Sequence, residues 1–167
     1  LNFPKLVAEN ILTVHDPLQY GSNPAFIDTC ILEIEPHGSY VEQTLILTYS
    51  DHGQYSSETQ LEVVHQFELP AGAVINDLWL WLPDTVMKAI VIDTWTAHAI
   101  YDSIVLRARD PAFLAKKGNQ FRLQVYPLLG GSYRKIRLNF ITPVRFQVIP
   151  EGKTKEILWV RKICLLR

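Results

Sequence analysis

Five histidines, two cysteines and four tryptophans are the side chains of this chain with the widest chemical reach. The histidines are His15, His37, His52, His65 and His98. No two stand three or four residues apart and none neighbours a cysteine, so the spacing gives no hint of converging zinc ligands. His98 and Asp102 stand four apart. On a helix they share a face and could pair as His–carboxylate, a geometry that orients a catalytic or metal-bound imidazole. A plain helix-surface ion pair is the commoner use of that spacing. A hydrolase relay through His98 and Asp102 would lack a recognisable nucleophile. Gly130-Gly-Ser132-Tyr-Arg is not G-x-S-x-G, and reads as a hairpin turn with glycines where positive φ is needed. No phosphate-cradling glycine motif occurs either. Trp79 and Trp81 stand at i, i+2, so both rings leave one face of a strand. They form either a stacking platform for sugar rings or a pair packed beneath a helix. Cys30 and Cys164 admit one disulfide or two buried thiols, and there is no C-x-x-C. The thiol reading is favoured, because free cysteine is commonly buried as a small hydrophobe.

These side chains sit on 167 residues, enough for one domain with a substantial core. Apolar residues make 48% and charged residues 20%, a globular balance. Formal net charge is −1, so no global field argues for nucleic acid or an anionic membrane. No apolar run reaches the roughly 18 residues of a transmembrane helix. The start, Leu1-Asn-Phe-Pro, lacks methionine and a signal-peptide pattern. The expectation is a piece of a longer protein that carries further segments. Basic residues gather late, from Arg134, Lys135 and Arg137 through Arg145, Lys153 and Lys155 to Arg161, Lys162 and Arg167. A modest basic face could meet an acidic polysaccharide or protein, although a solvated face is the plainer outcome.

Strands must position most of this. Residues 1–29 are punctuated by Pro4, Pro17, Gly21 and Pro24 and read as an extended lead-in with at most one short element. Strand-like runs follow at 30–35, 40–50, 61–69, 74–82, 86–93, 121–125, 133–141, 144–149 and 157–166, counted as about eight strands. Alternation turns Val41, Gln43, Leu45, Leu47 and Tyr49 one way. It does the same for Leu61, Val63, Phe67 and Leu69, for Leu78, Leu80 and Leu82, and for Ile136, Leu138 and Phe140. Between strands, Ala97, Ile100, Tyr101, Ile104, Val105 and Ala108 make one apolar helical stripe. Thr94 or Thr96 can cap that helix, and Arg107 and Arg109 suit its C-terminal end. Asp110 then caps a short second helix with Pro111 in its first turn, ending at Lys116-Lys117-Gly118. The expected fold is mainly β, an antiparallel sandwich with an inserted amphipathic helix plus a short second helix.

The order of several short motifs resembles the VIT (vault protein inter-alpha-trypsin) domain. They are Phe67-Glu-Leu69-Pro70-Ala-Gly-Ala73, Ala97-His-Ala-Ile-Tyr101, Arg109-Asp110-Pro111-Ala112-Phe113-Leu114, a strand ending at Pro127, and Arg134-Lys-Ile-Arg-Leu-Asn-Phe140. The resemblance covers about residues 38–143. Residues 1–37 are then a lead-in with one strand, and 144–167 are C-terminal strands completing the same domain. Phe113 stands where the family usually has leucine. The D-x-S-x-S metal site of the A domain that usually follows such a domain is missing, as Asp51, Asp93 and Asp102 each lack the serines.

The resemblance implies a non-enzymatic interaction or scaffold module with no cofactor and no metal. It also implies a protein partner, no nucleic acid, and a bacterial-type parent that is extracytoplasmic or membrane-associated. Its motif residues then have architectural roles. The alternative from another class is a carbohydrate-binding module using Trp79 and Trp81.

Overall fold

The computed structural model describes residues 11–82, 85–89, 112–148 and 154–157, with side chains described as far as residue 144. In chain order the strands are β1 (Ile11–His15), β2 (Asn23–Pro24), β3 (Phe26–His37), β4 (Tyr40–Ser50), β5 (Gln60–Glu68) and β6 (Val74–Trp81). They continue with β7 (Val86–Lys88), β8 (Ala112–Lys117), β9 (Gln120–Leu129), β10 (Tyr133–Pro143), β11 (Arg145–Val148) and β12 (Thr154–Ile157). One five-stranded sheet runs β2-β1-β5-β9-β8 and a second runs β3-β4-β10-β6-β7. Every pairing is antiparallel, and β11 with β12 makes a separate hairpin.

The sandwich follows from period-two alternation. Leu45, Leu47 and Tyr49 of β4, Leu61, Val63 and Phe67 of β5, Leu78 and Leu80 of β6, and Ile136, Leu138 and Phe140 of β10 all lie in one buried cluster. The inward parities expected for these strands are therefore the observed ones, and Leu82 packs against the cluster from its edge. Fully burying a leucine or phenylalanine side chain stabilises by roughly 1.5–3 kcal/mol, which makes this shared interior the main support of the fold.

Three expectations change. The lead-in holds two strands, β1 and β2, where at most one short element was expected, and β1 pairs with β5 over its whole length and buries Val14 in the core. The short helix ending at Lys116-Lys117-Gly118 is absent, because Ala112–Lys117 is strand β8, in register with β9 from Ala112 opposite Val125 to Lys117 opposite Gln120. Helix propensity in Ala-Phe-Leu-Ala-Lys-Lys loses to cross-strand burial. Phe113 is buried, while Ala112 and Leu114 pack against the core from the other parity. Gly118, at φ +63°, closes the β8–β9 turn rather than a helix. Asp110 consequently has no helix to cap over 112–117. The longer amphipathic helix expected from Thr96 to Arg109, with Ala97, Tyr101 and the Asp110-Pro111 step, lies outside the described residues, as do His98 and Asp102.

The third change concerns Gly130 and Gly131. They connect β9 in one sheet to β10 in the other, so the turn is a corner between layers and not a hairpin. Gly131 has φ +68°, as expected. Gly130 is needed for close approach instead: a Cβ there would lie 2.1 Å from the backbone oxygen of Ser56. Asp51, fully buried, ties the same corner together. Its carboxylate accepts from the Tyr55 N–H at 3.0 Å and the Gly131 N–H at 2.8 Å.

Cys30 is disulfide-bonded, against the thiol reading. The other cysteine of the sequence, Cys164, lies outside the described residues.

Candidate functional site

The outward face of the second sheet collects the side chains that sequence reasoning singled out. Trp79 and Trp81 leave β6 opposite in parity to the buried Leu78 and Leu80, and both are half-buried. Register sets Trp79 beside Arg137 of β10 and Lys88 of β7, and Trp81 beside Lys135 and Val86. The next strands extend the rows, with Ile46 and Ile31 beyond Arg137, and Thr48 and Thr29 beyond Lys135.

Each indole carries an ammonium. Lys135 Nζ lies 4.8 Å from the Trp81 ring and Lys88 Nζ 5.3 Å from Trp79. Such contacts are worth about 0.5–1 kcal/mol at exposed sites, so they orient the rings and cations more than they stabilise the fold. Lys88 is also paired with Asp77 at 2.6 Å. Lys135 and Arg137 have no carboxylate within ion-pair distance among the described residues. The Nε of Arg137 is buried without a hydrogen-bond partner. A guanidinium and an ammonium two residues apart on one strand, with no acid of their own, are suited to receiving an incoming carboxylate.

The histidines take places their spacing did not announce. His15 Nε2 lies 3.1 Å from Glu62, its cross-strand neighbour. His37 Nε2 lies 3.6 Å from Glu35 and 3.7 Å from Glu42, and its ring stacks on Tyr40. His52, at φ 50°, stacks on Phe26 with ring centroids 3.9 Å apart. Its Nε2 is 2.8 Å from Asp28 Oδ1, the same oxygen that accepts from Ser50 Oγ at 2.9 Å. Ser50 and His52 thus share a carboxylate instead of bonding to each other, which is not the geometry of an activated serine. Among the described residues no group of three His, Cys, Asp or Glu side chains is placed to hold a metal ion.

His65 is wholly buried between the sheets. Its Nδ1 meets the Tyr49 hydroxyl at 2.8 Å, and its Nε2 has no partner. Burial lowers its pKa from 6.5 to about 4 and pushes the Tyr49 hydroxyl above the usual tyrosine range. Alternation was the available signal, because residue 65 falls between Val63 and Phe67 on the inward parity. Arg134 was also missed. It is buried, and its guanidinium donates to the Pro127 carbonyl from Nε at 2.9 Å and again from Nη2, and to the Trp81 carbonyl from Nη1 at 3.3 Å.

The short motifs lie at turns and in the core where they are described. Phe67, Leu69 and Ala73 are buried and Pro70 is half-buried. The Ala73 N–H donates to the Pro70 carbonyl at 3.0 Å, turning the chain from β5 into β6. The Leu69 N–H donates to the Asn119 carbonyl, and Lys116 Nζ to the Ala73 carbonyl, so this turn is bound to the β8–β9 end. Pro127 follows a cis peptide and presents the carbonyl that Arg134 holds. The family model of the vault protein inter-alpha-trypsin domain matches residues 32–140. The chain belongs to the VIT family. The VIT match begins half-way along β3 and ends within β10, and so takes in β4, β6 and β7 of the second sheet whole. Neither a curated protein nor a solved structure gives a significant match to the chain.

Proposed function

We propose that this VIT domain is a non-catalytic interaction module of a larger envelope or surface-associated protein. It meets a protein partner through the outward face of the second sheet. The observation that carries the reading is the pair Lys135 and Arg137, each beside an indole of β6 and without acidic partners of their own among the described residues. Tryptophan and arginine are the residues interfaces concentrate. Family membership supports a protein-interaction role, and the disulfide at Cys30 supports an oxidising compartment. Sugar binding at Trp79 and Trp81 is less favoured, since a lysine already lies over each ring.

The test is a pull-down from the source extract with the wild-type domain and the double variant Lys135→Glu/Arg137→Glu, both with melting midpoints recorded. The expected result is a partner captured by the wild type and lost by the folded double variant. Identical captured sets would sink the assignment of this face. Binding to a glycan array that Trp79→Ala abolishes would move the conclusion to the carbohydrate reading.

A further inference from the structure

Cross-strand register sorts the outward face of the second sheet by charge. Ile31, Ile46, Arg137 and Trp79 share one row, and the row on one side of it holds Lys135 and Trp81. The two rows on the other side hold Glu33 and Asp77, then Glu35 and Glu42. Cations thus take one half of the face and carboxylates the other.

Some of these charges are answered within the chain. Lys88, at the end of the Arg137 row, pairs with Asp77 at 2.6 Å. Glu42 accepts from Asn139 Nδ2 at 3.0 Å. Two pairs are left, Lys135 with Arg137 on β10 and Glu33 with Glu35 on β3. Neither Lys135, Arg137 nor Glu33 has an ion pair among the described residues. Glu35 has His37 at 3.6 Å, yet its side chain is 74% exposed. Ile31, beside them on β3, is 47% exposed. Cys30, the disulfide-bonded residue of the strand, packs on the opposite, inward parity. Each pair stands at i, i+2, so each sets two like charges roughly 6.6–6.8 Å apart along its strand. The pairs are equal in spacing and opposite in sign. Only β4 lies between their strands, with Ile46 outward in the Arg137 row.

We propose that this face docks against the same face of a second copy of the chain, as a two-fold dimer in which Lys135 and Arg137 of each copy meet Glu33 and Glu35 of the other. The inference rests on the protein-interaction reading and names its partner. A two-fold contact needs a patch complementary to itself, and two pairs of matched spacing and opposite sign on one face provide it. The axis runs between the pairs, where Ile31 and Ile46 meet their own counterparts and leave water. A wholly acidic ligand would suit Lys135 and Arg137 but bring its charge against Glu33 and Glu35, at a cost in like-charge repulsion. A second copy answers both pairs at once.

The experiment is sedimentation velocity of the whole chain across a wide concentration range in non-reducing buffer, with melting midpoints recorded for every variant. The expected result is a concentration-dependent dimer that weakens as salt is raised. Lys135→Glu/Arg137→Glu and Glu33→Lys/Glu35→Lys each weaken self-association by about tenfold or more, because like charges then face each other. Mixing the two folded variants restores a dimer, since the reversed cations of one now match the reversed acids of the other. A wild type that stays monomeric overturns the proposal. So does a dimer that both charge reversals leave intact, or a mixture that stays monomeric. A monomeric wild type whose pull-down partner is lost by Lys135→Glu/Arg137→Glu removes the second copy and leaves the interaction reading standing. A monomer with identical captured sets removes both.

Discussion

At the scale of single residues, His65 has the sharpest consequence. Whichever ring nitrogen bears the proton, Nε2 remains buried and unpaired. The folded state holds the ring neutral down to a pKa of about 4, while the unfolded chain protonates it near 6.5. Below pH 6.5 the unfolded state binds the extra proton, so this residue's contribution is complete above that pH and falls steadily toward pH 4. The loss is roughly 3 kcal/mol over the window. Urea unfolding at pH 7, 5.5 and 4 should show it. His65→Phe should flatten that part of the slope, at a cost of about 1–3 kcal/mol at pH 7 for the orphaned Tyr49 hydroxyl. Equal acid slopes in both proteins would remove His65 as the cause. Alternation made the burial of both partners legible, since Tyr49 and His65 each fall on an inward parity. Their contact was not legible, because it joins two sheets and depends on how the layers stack.

At the scale of elements, strands with one buried face were readable and the rest were not. β4 matches its expected span, and β5, β6, β9 and β10 lie within a few residues of theirs. β8 failed for a physical reason: Ala112–Lys117 has no clean alternation and good helix formers, and only pairing with β9 makes it a strand. The outward face was half legible. Trp79 and Trp81 were placed on one face by spacing, but Lys135, Arg137 and Lys88 join them only through register. The corner at Gly130 yields a prediction. Gly130→Ala should cost about 1–3 kcal/mol, because a methyl group meets the Ser56 backbone and the loop must move. Gly53→Ala is the comparison. Gly53 has φ +74° with open space around its Cβ, so it carries backbone strain and no collision. Thermal melts in which Gly53→Ala is the more damaging would contradict this account of the corner.

At the scale of the whole molecule, one shared core holds the two sheets together, and a disulfide at Cys30 adds a covalent tie to β3. Cys30 sits on β3, half-buried and packed against the core. Cys30→Ser should lower stability by about 2–4 kcal/mol, and a reducing agent should shift the wild-type melting midpoint but not that of the variant. Insensitivity of the wild type to reductant would count against a structural bridge. The sequence left this pairing open, since two cysteines far apart in a chain carry no geometric information. The strand order has a further consequence, in the time order of synthesis. β10 lies between β4 and β6 in the second sheet, yet it follows both in the chain. On the ribosome the β3–β4 and β6–β7 hairpins emerge first, separated by an empty slot with two unpaired edges. Only when residues 133–143 leave the exit tunnel can one strand close both edges at once. Stalling translation just before Tyr133 should therefore leave a nascent chain that is open to chaperones, and release past Pro143 should complete the sheet in a single step.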